Sequence, residues 1–381
     1  MAELRVLQVG KFYPPDEGGM ESHLEGLCQH LRGQASVEVL VAGRSRRTVH
    51  EVVDGVSVTR VGTWATVRSA PICPELRGLI GRSKADVVHL HHPNPSAFLS
   101  YLMSGYRGPL VVTYHSDVVQ QRLLNVVYEP IVRAVLRRAD AIIVSSGEYL
   151  ESSPMLAQYR DRCVVIPMAI TPSQFAAADP SAVAEIRRRY GDRIVLAVGR
   201  LVYYKGLEYL VRAMRDIRGH LVVVGQGPMR DTLLAEARAA GVQDRVSLVG
   251  HVADTVPYYH AARVFALPSH MRSEAFGIVQ LEAMASGLPV VNTRIRSGVP
   301  GVSVDGLTGL TVGPGDPGAL AGAINRLLDD ADEAGRMGEA GRRRVGELYS
   351  LDGMTTRTLA LYQRIVTERG SRSGRRDRVG A

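Results

Sequence analysis

The 381-residue sequence predicts an α/β protein of two doubly wound domains, each a parallel sheet covered by helices on both faces. Three observations carry the prediction. Apolar runs of strand length alternate with amphipathic helical patterns along the chain, as crossover connections require. The length exceeds the roughly 250 to 300 residues at which a single core usually stops growing. Near the middle, PMAITPSQFAAADP (167–180) breaks the alternation into Pro, Ala and polar residues, as a linker would.

The strand candidates of the first series are RVLQV, VEVLVA, VVHLH, LVVTYH, AIIVSS and CVVIP, which place a domain over 1–180. RIVLAVG, HLVVVG, VSLVG, VFALPS, PVVNT and LTGLTV form the second series, over 181–350. A closing helix follows over 351–368. The remaining Gly/Ser/Arg-rich stretch, 369–381, is expected to be a disordered basic tail.

With 45% hydrophobic and 22% charged residues the composition is that of an ordinary globular protein. No run of about 18 apolar residues is present, and MAELRVLQVG reads as a charged start followed by a strand, so a cytoplasmic location is expected. Cys28, Cys73 and Cys163 are odd in number and far apart, which argues against a disulfide framework or zinc knuckle. The formal charge is +8, but residues 369–381 hold five Arg and one Asp, about half of the excess. That distribution argues against nucleic acid as a partner. It leaves an anionic membrane surface, at the inner face of the cell membrane, as an expected peripheral contact.

In doubly wound sheets ligands lie at the carboxyl ends of strands, and the chemistry of this chain is concentrated there. GRLVYYKG (199–206) sets Arg200 and Lys205 on one loop entering a helix, with Gly199 and Gly206 letting backbone approach a ligand. A guanidinium and an ammonium suit a diphosphate without a metal; a solvated basic loop is the other reading. Only Lys11, Lys84 and Lys205 are lysines, so the choice of lysine in this loop is specific. GQGPMR (225–230) is an incomplete dinucleotide fingerprint, with Arg230 in place of the third glycine, and reads as a tight turn rather than an NAD or FAD site.

His89, His91 and His92 follow one strand and His115 another. Alternation sends His89 and His91 to one side and His92 to the other, and no carboxylate or thiol completes a ligand set, so no metal is expected. His115 either contacts substrate or is a hydrogen-bonded structural histidine. In YPPDEGGMESH, Gly18 and Gly19 precede a helix whose N–H groups can face phosphate or sugar oxygens, beside the acidic pair Asp16 and Glu17. Asp330 and Asp332 read as solvated charge.

SEAFGIVQLEAMASGLPVV (273–291) carries Glu274 before a helix and Glu282 within it. Ile278, Leu281, Met284 and Ala285 make an apolar stripe, with Glu282 at its border. The helix alone leaves open whether Glu282 is a solvated edge residue or a functional one.

Taken in order, these features resemble the retaining family-four glycosyltransferases of the GT-B fold, two Rossmann-like domains facing a central cleft. The likeness spans nearly the whole chain. EAFGIVQLE is similar to the family's E-x7-E signature, supported by GRLVYYKG, VVGQGP, the Gly18-Gly19 loop, TYHSD and the terminal helix, which in the family crosses back to the first domain. RSEAFGIVQLEAMASGLPVVNT most resembles bacterial mannosyl- and rhamnosyltransferases of polysaccharide assembly.

The resemblance implies that Glu282 binds the nucleotide ribose, while Glu274 and the backbone of Phe276, Gly277 and Ile278 hold donor sugar and diphosphate. Arg200 and Lys205 would stabilise the leaving diphosphate, His115 would touch the donor sugar, and Gly18 and Gly19 would line the phosphate and acceptor region. It further implies a nucleotide-sugar donor, GDP-mannose first, a glycan, lipid-linked or small-molecule acceptor, and no cofactor. Two stretches depart from the family pattern: PMAIT (167–171) where P-N-G-V-D is common, and SGVPGVSVDGLTG (297–309) where G-G-x-x-E is common. A non-catalytic nucleotide-sugar binding protein, and an epimerase or phosphorylase on the same scaffold, are the competing readings.

Overall fold

The computed structural model describes residues 3–16, 18–67, 70–117 and 122–379, with backbone alone at 122–127 and 372–379. It divides into two compact units, Met1–Met168 with Leu351–Ala381, and Ala169–Ser350.

In the first unit the strands are β1 (Arg5–Val9), β2 (Ser36–Ala42), β3 (Val49–Val53), β4 (Val56–Val61), β5 (Ala65–Val67), β6 (Ala70–Ile72), β7 (Val87–His92), β8 (Leu110–Tyr114), β9 (Ala141–Val144) and β10 (Cys163–Val165). Eight form one sheet in the order β10-β9-β8-β7-β1-β2-β4-β3, and β5 pairs with β6 as a separate hairpin. The six strands expected from the apolar runs are β1, β2 and β7–β10, and their residues Val6, Leu7, Val88, Leu90, Val112 and Ile142 are buried, as the parallel-sheet interior demands. β3 and β4 add an antiparallel edge that the apolar runs did not show. Their connection is Asp54-Gly55, with φ of 49° and 80°, the backbone of a two-residue primed turn.

The terminal helix, Leu351–Val379, belongs to this unit. Tyr362 is fully buried and its hydroxyl accepts from Gln8 Nε2 of β1 at 3.0 Å. The helix passes through residues assigned above to a disordered tail. Arg369 donates to Asp140 and to the Arg107 carbonyl, both at 2.8 Å, and these anchors carry the helix past its expected end.

The second unit holds β11 (Ile194–Val198), β12 (His220–Val224), β13 (Val246–Gly250), β14 (Val264–Leu267), β15 (Val290–Thr293) and β16 (Gly309–Val312). Its sheet is wholly parallel, ordered β13-β12-β11-β14-β15-β16, the Rossmann order with the switch point between β11 and β14. The unit begins earlier than the expected boundary at 180. Ile170 donates its N–H to the Tyr349 carbonyl at 3.0 Å and bridges to Ser350, which ties the linker stretch into the second unit. Asp330, read as solvated charge, caps the helix Ala331–Leu348 by accepting from Glu333 N–H at 2.8 Å. Among the described residues, no helix is long and apolar enough to cross a membrane.

Candidate active site

The chain leaves β11 and β14 toward opposite edges of the second sheet, so the loops at their carboxyl ends diverge and leave a crevice. After β11, Gly199 takes φ 132°, and a Cβ there would lie 3.2 Å from Cε and Nζ of Lys205. A glycine is needed to seat this lysine. Lys205 closes a short turn, Tyr203–Lys205, and Gly206 at φ 65° starts the helix Leu207–Ala213. Arg200, on the same loop, is exposed and has no ion-pair partner among the described residues.

The loop after β14 brings Glu274 to Lys205. Glu274 Oε2 lies 2.8 Å from Lys205 Nζ, with the two side chains 12% and 11% exposed, and Ser269 Oγ donates to the same oxygen at 3.4 Å. Burial works against the Lys205 ammonium, but the charge and hydrogen bond of Glu274, with Tyr204 and Glu282 adding to them, raise its pKa. Lysine is therefore held as a cation.

Phe276 is buried, and Gly277 turns at φ 74° before the helix Val279–Ala285. A Cβ on Gly277 would stand 2.7 Å from Leu267 and 2.9 Å from Gln280. Gln280, fully buried, donates to the Phe276 carbonyl and is bound in turn by Asn292, which fixes this turn from beneath. Ile278 precedes the helix as its capping residue.

Glu282 is partly buried and accepts from the hydroxyl of fully buried Tyr259 at 2.7 Å. Burial raises its carboxyl pKa, opposed by the Tyr259 hydrogen bond and the Lys205 charge. An amphipathic border residue has become an oriented carboxylate. The second unit thus brings together Gly199, Lys205, Glu274, Gly277 and Glu282, around two carboxylates, one buried ammonium and, on the Lys205 loop, one exposed guanidinium.

Tyr259, Ser269 and Tyr204 were not legible in the sequence. They meet the site across separate elements, and no local spacing joins, for example, Tyr259 to Glu282.

In the first unit, Gly18 is the residue before the helix Gly19–Leu31, and Glu21 of its first turn brings a carboxylate oxygen to where a Cβ on Gly18 would stand, so a side chain there would displace that carboxylate. Asp16 pairs with Arg44 at 2.6 Å, while Glu17 lies outside the described residues. His115 is buried, with Nε2 3.1 Å from His91 Nδ1, and burial, together with neighbouring His23, His91 and His92, pushes its pKa down. It is a neutral imidazole. His89 and His91 face one way, toward Tyr362 and Gln8, and His92 stacks on Tyr114 on the other side at 4.3 Å between centroids.

Comparisons with known proteins agree with this architecture. Residues 181–344 match the family described as Glycosyl transferases group 1, and residues 17–174 match Glycosyltransferase Family 4. The chain is 32% identical to the O-antigen chain mannosyltransferase C of Escherichia coli, over 94% of this chain and 98% of that protein. It is 34% identical to the D-rhamnosyltransferase WbpZ of Pseudomonas aeruginosa, over 70% of this chain and 71% of that one. Among solved structures, sucrose-phosphate synthase from Thermosynechococcus elongatus superposes with a TM-score of 0.79 at 23% identity, covering 96% of this chain and 100% of its own. Anabaena HepE in complex with UDP gives 0.77 at 18% identity, covering 94% and 100%. On these matches, the chain belongs to the family-four glycosyltransferases of the GT-B fold.

Proposed function

We propose that the chain is a retaining, metal-independent hexosyltransferase that moves mannose from GDP-mannose to a hydroxyl of a glycan, lipid-linked or small-molecule acceptor. The observation that carries this reading is the Lys205–Glu274 pair at the switch point, with the oriented Glu282 carboxylate and the exposed Arg200 guanidinium. The mannosyl donor is supported by relatives: besides the Escherichia coli mannosyltransferase, the chain is 32% identical to a GDP-mannose-dependent phosphatidylinositol monomannoside mannosyltransferase of Mycolicibacterium smegmatis, over 93% of this chain and 95% of that one.

In this reading Glu282 accepts from the ribose hydroxyls, as a carboxylate held by Tyr259 can. Glu274 and the backbone of Phe276, Gly277 and Ile278 hold the sugar and diphosphate. Glu274 is already committed to Lys205, which leaves it a binding group rather than a covalent nucleophile. The bond from the anomeric carbon to the diphosphate oxygen breaks as the acceptor oxygen bonds on the same face, and the acceptor proton passes to the departing phosphate oxygen. Arg200 and Lys205 stabilise the charge that grows on that oxygen, the term that usually dominates such catalysis. His115, as a neutral imidazole, accepts from or donates to a donor-sugar hydroxyl.

A panel of GDP-, UDP- and ADP-sugars, incubated with lipid-linked and oligosaccharide acceptors in excess EDTA, tests the reading. Nuclear magnetic resonance of the product reports the anomeric configuration. Transfer from GDP-mannose with the α configuration kept supports it; inversion, a strict need for a divalent ion, or a clear preference for UDP-sugars contradicts it.

A further inference from the structure

The first sheet has a switch point of its own, between β1 and β7, where the chain runs from β1 to β2 on one side and from β7 to β8 on the other. Three imidazoles from three elements converge near it: His23 of the helix Gly19–Leu31, His91 near the end of β7, and His115 just after β8. One ring nitrogen of each lies within 4.8 Å of the others. His91 Nδ1 and His115 Nε2 are 3.1 Å apart, close to the roughly 3.3 Å that separates two nitrogens at 2.0 to 2.1 Å from a tetrahedral zinc ion.

The proton positions follow from a chain of contacts. Gln8 Nε2 donates to the Tyr362 hydroxyl at 3.0 Å, so the hydroxyl proton goes to His89 Nδ1 at 2.6 Å and His89 Nε2 donates to Thr113 at 2.7 Å. Gln8 Oε1 then accepts from His91 Nε2 at 3.0 Å. Because an amide oxygen only accepts, His91 carries its proton on Nε2 and accepts at Nδ1 from His115 Nε2–H, a proton that a bound cation displaces as His115 passes to its Nδ1–H tautomer. The Gln8 contact is the outer-shell arrangement that fixes the tautomer of a ligating histidine. His23 Nδ1 is buried with no hydrogen-bond partner. Burial lowers the pKa of all three rings, that of His23 to about 4, and keeps them in the neutral form that metal binding needs.

We infer that His23, His91 and His115 form a binding site for a borderline divalent cation of the zinc class. Three imidazoles with no carboxylate disfavour calcium and magnesium, which take oxygen ligands. Three protein ligands leave a fourth position open. The three ligands all belong to the first unit, and the site goes beyond the transfer reading. An ion bound here takes His115 Nε2 away from any other partner, so zinc is expected to slow transfer that proceeds freely in EDTA.

The test needs no sugar chemistry. Full-length protein stripped with a chelator is titrated with Co²⁺ while visible d–d absorption is followed, then challenged with Zn²⁺. One saturable equivalent with the spectrum of a four-coordinate, nitrogen-rich site, bleached by Zn²⁺, is expected. His23→Ala removes a nitrogen that makes no hydrogen bond through Nδ1, so its melting temperature and circular dichroism confirm a retained fold while Co²⁺ affinity drops about 100-fold or more; loss of even an outer-shell partner costs 10- to 100-fold. Absence of a saturable spectrum in the parent protein overturns the inference. So does an unchanged titration in His23→Ala, which would place the ion elsewhere.

Discussion

In the proposed transfer Lys205 and Arg200 both stabilise the leaving diphosphate, but from different surroundings, and their variants separate catalysis from fold. Lys205 is buried against Glu274, so Lys205→Ala leaves a buried carboxylate unpaired and costs several kcal/mol of stability as well as activity. Arg200 is exposed and has no ion-pair partner among the described residues, so Arg200→Ala spares the fold. We expect turnover in Arg200→Ala to fall about 100-fold or more, the scale of losing one preorganised charge-stabilising group. Donor affinity changes less, because the guanidinium meets its full charge only as the diphosphate leaves. Single-turnover rates and donor titration on the same preparation check this. Glu282 gives the opposite pairing of effects. Its folded-state pKa is raised by burial, so its neutral form is favoured on folding; stability is fully present below the unfolded pKa and is lost as pH rises through the folded value. Glu282→Gln therefore raises the melting temperature of the ligand-free protein near neutral pH, and the gain shrinks as the pH falls toward the ordinary glutamate range. A gain that is constant with pH contradicts the titration.

At the scale of elements, the turn 276–278 and the helix after it were legible as a unit, because the E-x7-E spacing, the apolar stripe and Gly287 lie within one short stretch. In the two sheets, strands β1, β2, β7–β10 and β11–β16 were legible for the same reason: each is built around a short apolar run. The edge hairpin β3–β4 was not, because β3 is exposed along much of its length and both strands mix Val with His, Glu, Ser, Thr and Arg, although Asp54-Gly55 is a turn signal. Tyr259 escaped because a tyrosine on a different helix announces no partner 23 positions away. Gly277 carries the clearest element-scale prediction. Its φ of 74° and the atoms of Leu267 and Gln280 within 3 Å of a Cβ position leave no unstrained alanine, so Gly277→Ala costs about 1 to 3 kcal/mol. Chemical denaturation gives the stability loss, and donor titration shows weaker diphosphate binding from the displaced backbone.

At the scale of the molecule, the chain closes its first unit only at its last helix, a discontinuity that no apolar run discloses. Tyr362 sits between Gln8 and His89 with all three side chains buried. Tyr362→Phe leaves Gln8 Nε2 and His89 Nδ1 without their common partner, and we expect a loss of about 1 to 3 kcal/mol, the usual penalty for unsatisfied buried polar groups. Hydrogen exchange of β1 and β7 localises it to the first unit; protection lost equally from β11 to β16 contradicts the assignment of the terminal helix.

We propose that Glu282, beside the Lys205–Glu274 pair, is the nucleotide anchor of a donor site that needs no metal. Calorimetric titration of GDP in excess EDTA, into the parent protein and Glu282→Ala, tests it most directly. We expect one-to-one binding to the parent, weakened in the variant by about 1 to 3 kcal/mol, the size of a charged hydrogen bond, with circular dichroism unchanged. Equal affinity in the two proteins, or binding that appears only when a divalent ion is added, contradicts it.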